Sequence, residues 1–219
     1  EIDRGRGGDG RRRDGRRSDG GSEARYVAAD VSDAAAVRAA LDEVRRAWGP
    51  VAGVIHGAGV LADKTIADKT EEQFARVFGT KVDGLRVLLD ATAGDPLKVL
   101  CVFSSVAGRC GNQGQSDYAM ANEVLNKVCD AERARRGPSV TVKSLGWGPW
   151  AGGMVTPALE KHFRARGVPL ISLEGGADAL VRELSRASGP AVELVLGGEP
   201  RAEALLAPGS ADVRRVEVR

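Results

Sequence analysis

Five short apolar runs, each set between amphipathic helical stretches, constrain this chain more than any other feature. Residues 26–29, 51–56, 99–103, 140–145 and 192–196 read as strands. The first leads into a helix with Val37, Leu41, Val44 and Trp48 at spacings of three and four, stopped by Gly49-Pro50. Thr70-Glu71-Glu72-Gln73 is a capping box opening a long helix to about residue 92, because Thr70 and Gln73 can each satisfy the other's backbone N–H. The pattern predicts further helices over 116–136, from Thr156-Pro157, and over 177–187. Strands alternating with helices form βαβ units, so the expected fold is α/β: a doubly wound, mostly parallel, Rossmann-like sheet covered on both faces.

Composition matters chiefly at the N-terminus. Residues 4–21 consist of seven arginines, seven glycines, three aspartates and one serine, with nothing to bury. Such a stretch cannot offset its ordering entropy, so residues 1–23 are expected to be a disordered tail, 24–198 the domain, and 199–219 a linker. Three interleaved aspartates and the lack of aromatics argue against nucleic acid, as does a net charge of +2 over the chain. Gly5-Arg6-Gly7-Gly8-Asp9-Gly10 satisfies G-x-G-x-x-G as a string, but no strand precedes it and no apolar helix follows, so it is rejected as a phosphate loop. No apolar run approaches bilayer-spanning length, no secretory h-region is present, and three cysteines make no disulfide framework. A cytoplasmic protein with no metal site and no membrane partner is expected.

In open parallel sheets ligands sit at the carboxyl ends of the strands. Asp30, Gly57-Ala58-Gly59, Ser104-Ser105 and the stretch 146–150 occupy those positions. The helix from Thr70 carries Phe74, Val77, Phe78, Lys81, Leu85, Leu88 and Leu89 in one stripe. Lys81 therefore either snorkels at the stripe's edge or has a buried partner, since an isolated ammonium there is costly. Tyr118 and Asn122 share a face of the 116–136 helix, thirteen residues or more after Ser105. Phenol, hydroxyl, ammonium and carboxamide around one cleft form a proton-transfer set, in which a cation such as Lys81 would lower the phenol pKa toward neutrality.

These residues and their surroundings resemble the ketoreductase domains of polyketide synthases and polyunsaturated fatty acid synthases, within the short-chain dehydrogenase/reductase superfamily. The carrying stretches are Asp30-Val31-Ser32-Asp33, Val54-Ile55-His56-Gly57-Ala58-Gly59-Val60-Leu61, Lys81-Val82-Asp83-Gly84, Phe103-Ser104-Ser105-Val106-Ala107-Gly108, Gly114-Gln115-Ser116-Asp117-Tyr118-Ala119-Met120-Ala121-Asn122 and Trp147-Gly148-Pro149-Trp150. The resemblance implies Tyr118 as proton donor, Ser105 as the carbonyl-oxygen partner, Lys81 as the group tuning the tyrosine and touching the nicotinamide ribose, and Asn122 as the fourth member. Lysine and asparagine stand exchanged relative to ordinary short-chain dehydrogenases, as in the polyketide branch. Asp30 and Val31 are expected at the adenine, Gly57, Ala58 and Gly59 under the adenosine ribose, and Gly148 and Pro149 beside the nicotinamide of NADPH. Asp63, Gln113, Trp150 and Met154 are expected on the substrate side.

The implied reaction is NADPH-dependent reduction of a β-ketoacyl thioester on an acyl carrier protein, with other synthase domains as partners. Leu61-Ala62-Asp63 keeps two residues of a Leu-Asp-Asp signature, and Cys110 stands eight before Tyr118 where the opposite stereochemical group has tryptophan, so a (3R)-hydroxyacyl product is expected. The dinucleotide fingerprint that should precede Tyr26 is not found. The chain is thus expected to lack its first βαβ half and to be a fragment, with a non-catalytic, domain-packing remnant as the alternative. A first measurement follows from the tail: excising residues 4–21 is expected to leave the melting temperature of the rest unchanged, and a drop of several degrees would show that the segment packs.

Overall fold

The computed structural model describes residues 2–3, 23–153, 155–165, 168–185, 191–197 and 214–216. Most of the expected tail, residues 4–22, and residues 199–213 of the expected linker lie outside them. The elements run β1 (Ile2–Asp3), β2 (Val27–Ala28), α1 (Ala34–Trp48), β3 (Gly53–His56), α2 (Glu71–Ala91), β4 (Val99–Ser105), α3 (Val106–Cys110), α4 (Ser116–Arg136), β5 (Thr141–Trp147), α5 (Pro157–Ala165), α6 (Leu173–Ser185), β6 (Glu193–Leu196) and β7 (Arg214–Val216), with a 3-10 turn at Ile66–Asp68 ahead of α2.

Five strands form one sheet in the order β3-β4-β5-β6-β7, and every pair is parallel. The longest ladder aligns β4 with β5 over seven residue pairs, from Val99 opposite Thr141 to Ser105 opposite Trp147. β2 pairs instead with β1 in a separate two-stranded parallel sheet, and no described strand lies between β2 and β3. Two of these strands fall where the sequence predicts none: β1 precedes the Arg/Gly stretch, and β7 lies within the expected linker. Both are two or three residues long, too short to show a period of two.

Alternation along β4 separates two cores. Leu100 and Val102 face α2 and α4, joining Leu85, Leu88, Leu125 and Cys129. Cys101 faces α6 and joins Leu145, Trp147, Leu194 and Ala179. The double-sided cover expected from the strand patterns is therefore present at β4 and β5. It stops at β3, where Val54 is buried but Ile55, pointing the other way, is half exposed.

The helix ends follow their capping chemistry. Asp33 accepts from the N–H groups of Ala35 and Ala36 at the start of α1, and the Thr70/Gln73 box is formed in full at the start of α2. One close approach sets where α2 lies: a Cβ on Gly84 would meet Val31 Cγ1 at 2.7 Å. With no side chain there, α2 settles against the turn after β2 and brings Lys81, one turn earlier, toward the end of β4.

Candidate active site

Four side chains converge where β4 ends. Ser105 closes the strand and caps α3, its Oγ accepting from the Ala107 N–H at 3.1 Å. Tyr118 comes from the first turn of α4, and Asn122 from one turn later. Lys81 reaches in from α2, 3% exposed, and its ammonium donates to the Phe103 carbonyl at 3.0 Å. The same ammonium lies 5.4 Å from the centre of the Tyr118 ring. Of the two readings of Lys81, the buried one holds, and its partner is a backbone carbonyl. Periodicity could not have named that partner, because it lies 22 residues away on a strand.

Two further groups hold this arrangement. His56, buried at the end of β3, is 2.9 Å from the Lys81 carbonyl through Nε2. Burial first, and then the Lys81 charge, push the imidazole down to about 4, so it is neutral at physiological pH and its Nε2 carries the proton given to that carbonyl. Ser104 points opposite to Ser105 and donates to the Asn122 carbonyl at 3.2 Å. Gly108 lets α3 lie against α4 at the same place, since a Cβ there would be 3.0 Å from Asn122 Cβ. The pair Ser104-Ser105 is thus one anchoring and one cleft-facing hydroxyl, a division that strand alternation predicts once the strand is known to run through both.

Charge in the cluster is set by desolvation. Burial lowers the Lys81 ammonium to about 8. The Tyr118 phenol is pushed up, by burial above all and also by the Asp63 carboxylate, while the side chains of Ser105 and Asn122 pull it part of the way back. The net direction is upward, opposite to the expected lowering toward neutrality, and the phenol is neutral at pH 7. Asn122 donates from Nδ2 to the Tyr118 carbonyl at 2.8 Å, whereas its Oδ1 is buried with no hydrogen-bond partner among the described residues. A buried acceptor left open in this way marks a place for a water or a ligand donor.

Residues 11–152 match the family model described as KR domain. The chain belongs to the KR domain family. It is 48% identical over 181 residues to a polyunsaturated fatty acid synthase component of a Thraustochytrium species, covering 82% of this chain and 6% of that protein. Over 166 residues it is 35% identical to the pikromycin polyketide synthase component PikAIII of Streptomyces venezuelae, covering 75% of this chain and 10% of the relative. Among solved structures, a ketoreductase domain from the bacillaene assembly line aligns with a TM-score of 0.72 at 32% identity, over 84% of this chain and 45% of that one. An N-terminal ketoreductase from the macrolactin assembly line aligns with a TM-score of 0.68 at 31% identity, over 79% of this chain and 33% of that one. The chain thus spans a small part of the synthases it matches and under half of these two ketoreductase structures.

The remaining candidate residues of this KR domain fall into three groups. Asp63 is exposed on the loop between β3 and α2, where its Oδ2 accepts from Gln115 Nε2 at 2.9 Å. Gly148 donates to the Leu196 carbonyl at 2.8 Å and Pro149 accepts from the Ile171 N–H at 2.8 Å, so the turn after β5 is fastened to β6 and to the approach to α6. Gly57, Ala58 and Gly59 follow β3 directly. Gly57, Ala58, Gly59, Gly148 and Pro149 lie at the carboxyl ends of β3 and β5, as expected.

Others are occupied in packing. Trp150 stacks edge-on to Trp147 with ring centres 4.8 Å apart and lies over Gly176, where a Cβ would be 2.2 Å from its ring. Val31 is in the core, and Asp30 accepts from the backbone N–H and hydroxyl of Ser32. Gln113 is exposed on the turn ahead of α4, and Met154 lies outside the described residues.

A stability measurement isolates the Lys81 desolvation. The folded pKa, about 8 against an ordinary 10.5, means the unfolded chain holds an extra proton between those values. Wild-type stability therefore rises with pH from about 8 to 10.5, and the penalty is present in full below 8. Lys81→Met, which keeps the stem and removes the charge, is expected to stabilise the fold by roughly 2 kcal/mol at pH 7. That gain should fade in denaturant titrations above pH 8; a pH-independent gain, or a loss, would contradict the desolvation account.

Proposed function

We propose that this KR domain reduces the β-keto group of an acyl thioester carried on an acyl carrier protein, using NADPH, with Tyr118 as the proton donor. The observation that carries the reading is the convergence of Tyr118, Ser105, Lys81 and Asn122 at the end of β4, within a chain of the KR family. Ser105 and the neutral Tyr118 phenol can both donate to a ketone oxygen, holding the carbonyl and stabilising the charge that develops as it is reduced. Tyr118 then gives up its proton to that oxygen. The nearby Lys81 ammonium, still largely protonated at pH 7, favours the phenolate so formed. The open Oδ1 of Asn122 can hold a water through which the phenol is reprotonated.

The residues fit the nicotinamide end of the cofactor: an ammonium donor, a fastened Gly148-Pro149 turn and an unfilled buried acceptor meet at the strand ends. When bound, the reduced nicotinamide supplies the hydride. Lys81 would hold its ribose, while Gly57, Ala58, Gly59, Asp30 and Val31 would flank the adenosine part. No glycine-rich strand-to-helix turn of the pyrophosphate-binding kind occurs among the described residues. That observation favours the second reading, a domain-packing remnant without turnover. Neighbouring synthase domains are the partners under either reading.

Fluorescence titration with NADPH separates the two, since the remnant reading requires no binding. With acetoacetyl-N-acetylcysteamine as the ketone, Tyr118→Phe is expected to keep NADPH affinity and lose about 10²- to 10⁴-fold in kcat. Near-normal turnover by that variant would sink the assignment. Lys81→Ala is expected to weaken both binding and turnover.

The facial selectivity gives a separate prediction. Asp63, on the Leu61-Ala62-Asp63 loop, is held by Gln115 beside the start of α4, so it borders the side from which a pantetheine arm would approach Tyr118. We expect the (3R)-hydroxyacyl thioester, read by chiral chromatography of the product; a (3S) product would overturn this part and leave the reductase reading standing.

A further inference from the structure

The loop between β3 and α2 is joined to the start of α4 and the loop ahead of it at three points, and one of them is an ion pair shut away from water. Lys69 Nζ lies 2.8 Å from Asp117 Oδ2 and donates at 2.8 Å to the Ala62 carbonyl. The two side chains are 5% and 1% exposed. The other oxygen of Asp117 accepts from the Tyr118 N–H at 2.9 Å. Alongside, the Lys64 N–H donates to the Gly114 carbonyl at 2.9 Å, and Gln115 Nε2 donates to Asp63 at 2.9 Å.

A buried ion pair is a poor source of stability, because an apolar pair of the same shape does as well or better. What it supplies here is geometry. The carboxylate sits in the first turn of α4, where the free N–H groups and the helix dipole favour it. Both of its oxygens are committed, one to Lys69 and one to the backbone of Tyr118. The ammonium in turn spans from that turn to the carbonyl of Ala62, immediately before Asp63. One cation thus fixes the spacing between the start of the tyrosine-bearing helix and the loop that borders the cleft.

We propose that Lys69 is a positioning residue for ketone reduction: through Asp117 it holds the first turn of α4, and with it the Tyr118 phenol, in register with the Leu61-Ala62-Asp63 loop. This rests on the reading of Tyr118 as proton donor. The hydrogen bonds of Lys69 go to Ala62 and Asp117 rather than to Lys81, Ser105 or Asn122. Its loss therefore acts on the alignment of the ketone with the phenol and leaves the nicotinamide end alone. Displacements of about 1 Å at a reacting centre can cost as much as 10²-fold in rate, which is the scale on which such a clamp would be felt.

The test uses the full chain as wild type, Lys69→Met, Lys69→Arg, and the double variant Lys69→Met with Asp117→Leu. The double variant removes both charges and leaves no unpaired ion, so it reports even if the single Lys69→Met fails to fold. Amide hydrogen exchange over 60–66 and 112–118 reads the clamp. NADPH affinity, and kcat and KM for acetoacetyl-N-acetylcysteamine, read its use.

Lys69→Met and the double variant are expected to exchange about tenfold faster in both segments and to lose about tenfold or more in kcat/KM, with NADPH affinity changed by less than about twofold. Lys69→Arg is expected to recover most of the loss. Faster exchange in one segment only, reduction that stays near wild type, or NADPH affinity that falls in step with turnover would each overturn the proposal. Equal turnover by wild type and Tyr118→Phe would overturn the reductase reading, and with it the catalytic use of the clamp. The exchange data would then still show separately whether Lys69 joins the two loops.

Discussion

The seven-pair ladder between β4 and β5 is the constraint on which the other features depend. Because its side chains alternate, it gives Leu100, Val102 and Val142 to the face under α2 and α4, and Cys101, Leu145 and Trp147 to the face under α6. Its upper end aligns Ser105 with Trp147. The hydroxyl and the turn that fastens Gly148 and Pro149 are thereby set side by side by backbone hydrogen bonds rather than by the groups that would use them. Two contacts then seat α4 over that end without a bulky spacer: Gly108 under Asn122, and Ser104 bonded to the Asn122 carbonyl. A one-residue slip of β4 would exchange Ser104 with Ser105 and send the two cores to the wrong faces.

Much of this is legible in the chain itself. Apolar runs bounded by turn residues locate the five main strands, the Thr70/Gln73 box locates α2, and helical spacing puts Tyr118 and Asn122 on one face. Element ends are less legible. α6 begins four residues ahead of the predicted helix, at Leu173, because Gly175 and Gly176 read as breakers. In the structure they are helical, and Gly176 is required there by the indole of Trp150 lying against it. The short helix α3 escapes the sequence reading because Gly108 falls in its middle, for the same kind of reason: a close neighbour, here Asn122, outweighs propensity.

The polar connections are the least legible part. Lys69 with Asp117 spans 48 residues, and Arg109 with Glu193 spans 84. Local periodicity carries no information at those separations. The second pair belongs to a buried set in which Glu193 accepts from Arg109 at 2.8 Å and from Asn126 at 3.4 Å, while Asn126 in turn accepts from Ser144. It ties α3 and α4 to β5 and β6 directly behind the cleft. A helix position such as Asn126, on the core side among apolar neighbours, is the one sign in the sequence that such a set exists, because an amide there needs partners.

The cluster at the end of β4 is costly to the fold in two ways at once. Lys81 is charged where burial depresses its pKa, and Asn122 keeps a buried acceptor unfilled. Each would be relieved by an apolar substitution. Local penalties that the surrounding structure over-determines, with His56 fixing the Lys81 carbonyl and Ser104 fixing that of Asn122, are what a preorganised reaction site requires. Those two groups, with the neutral Tyr118 phenol beside them, are the ones a ketone and a nicotinamide could use: a phenol ready to donate, a cation to favour the phenolate left behind, and an open acceptor to return the proton. A domain that merely packed against its neighbours would gain from replacing both. That they stand together in one desolvated cluster, on a scaffold otherwise well packed, weighs for chemistry over scaffolding.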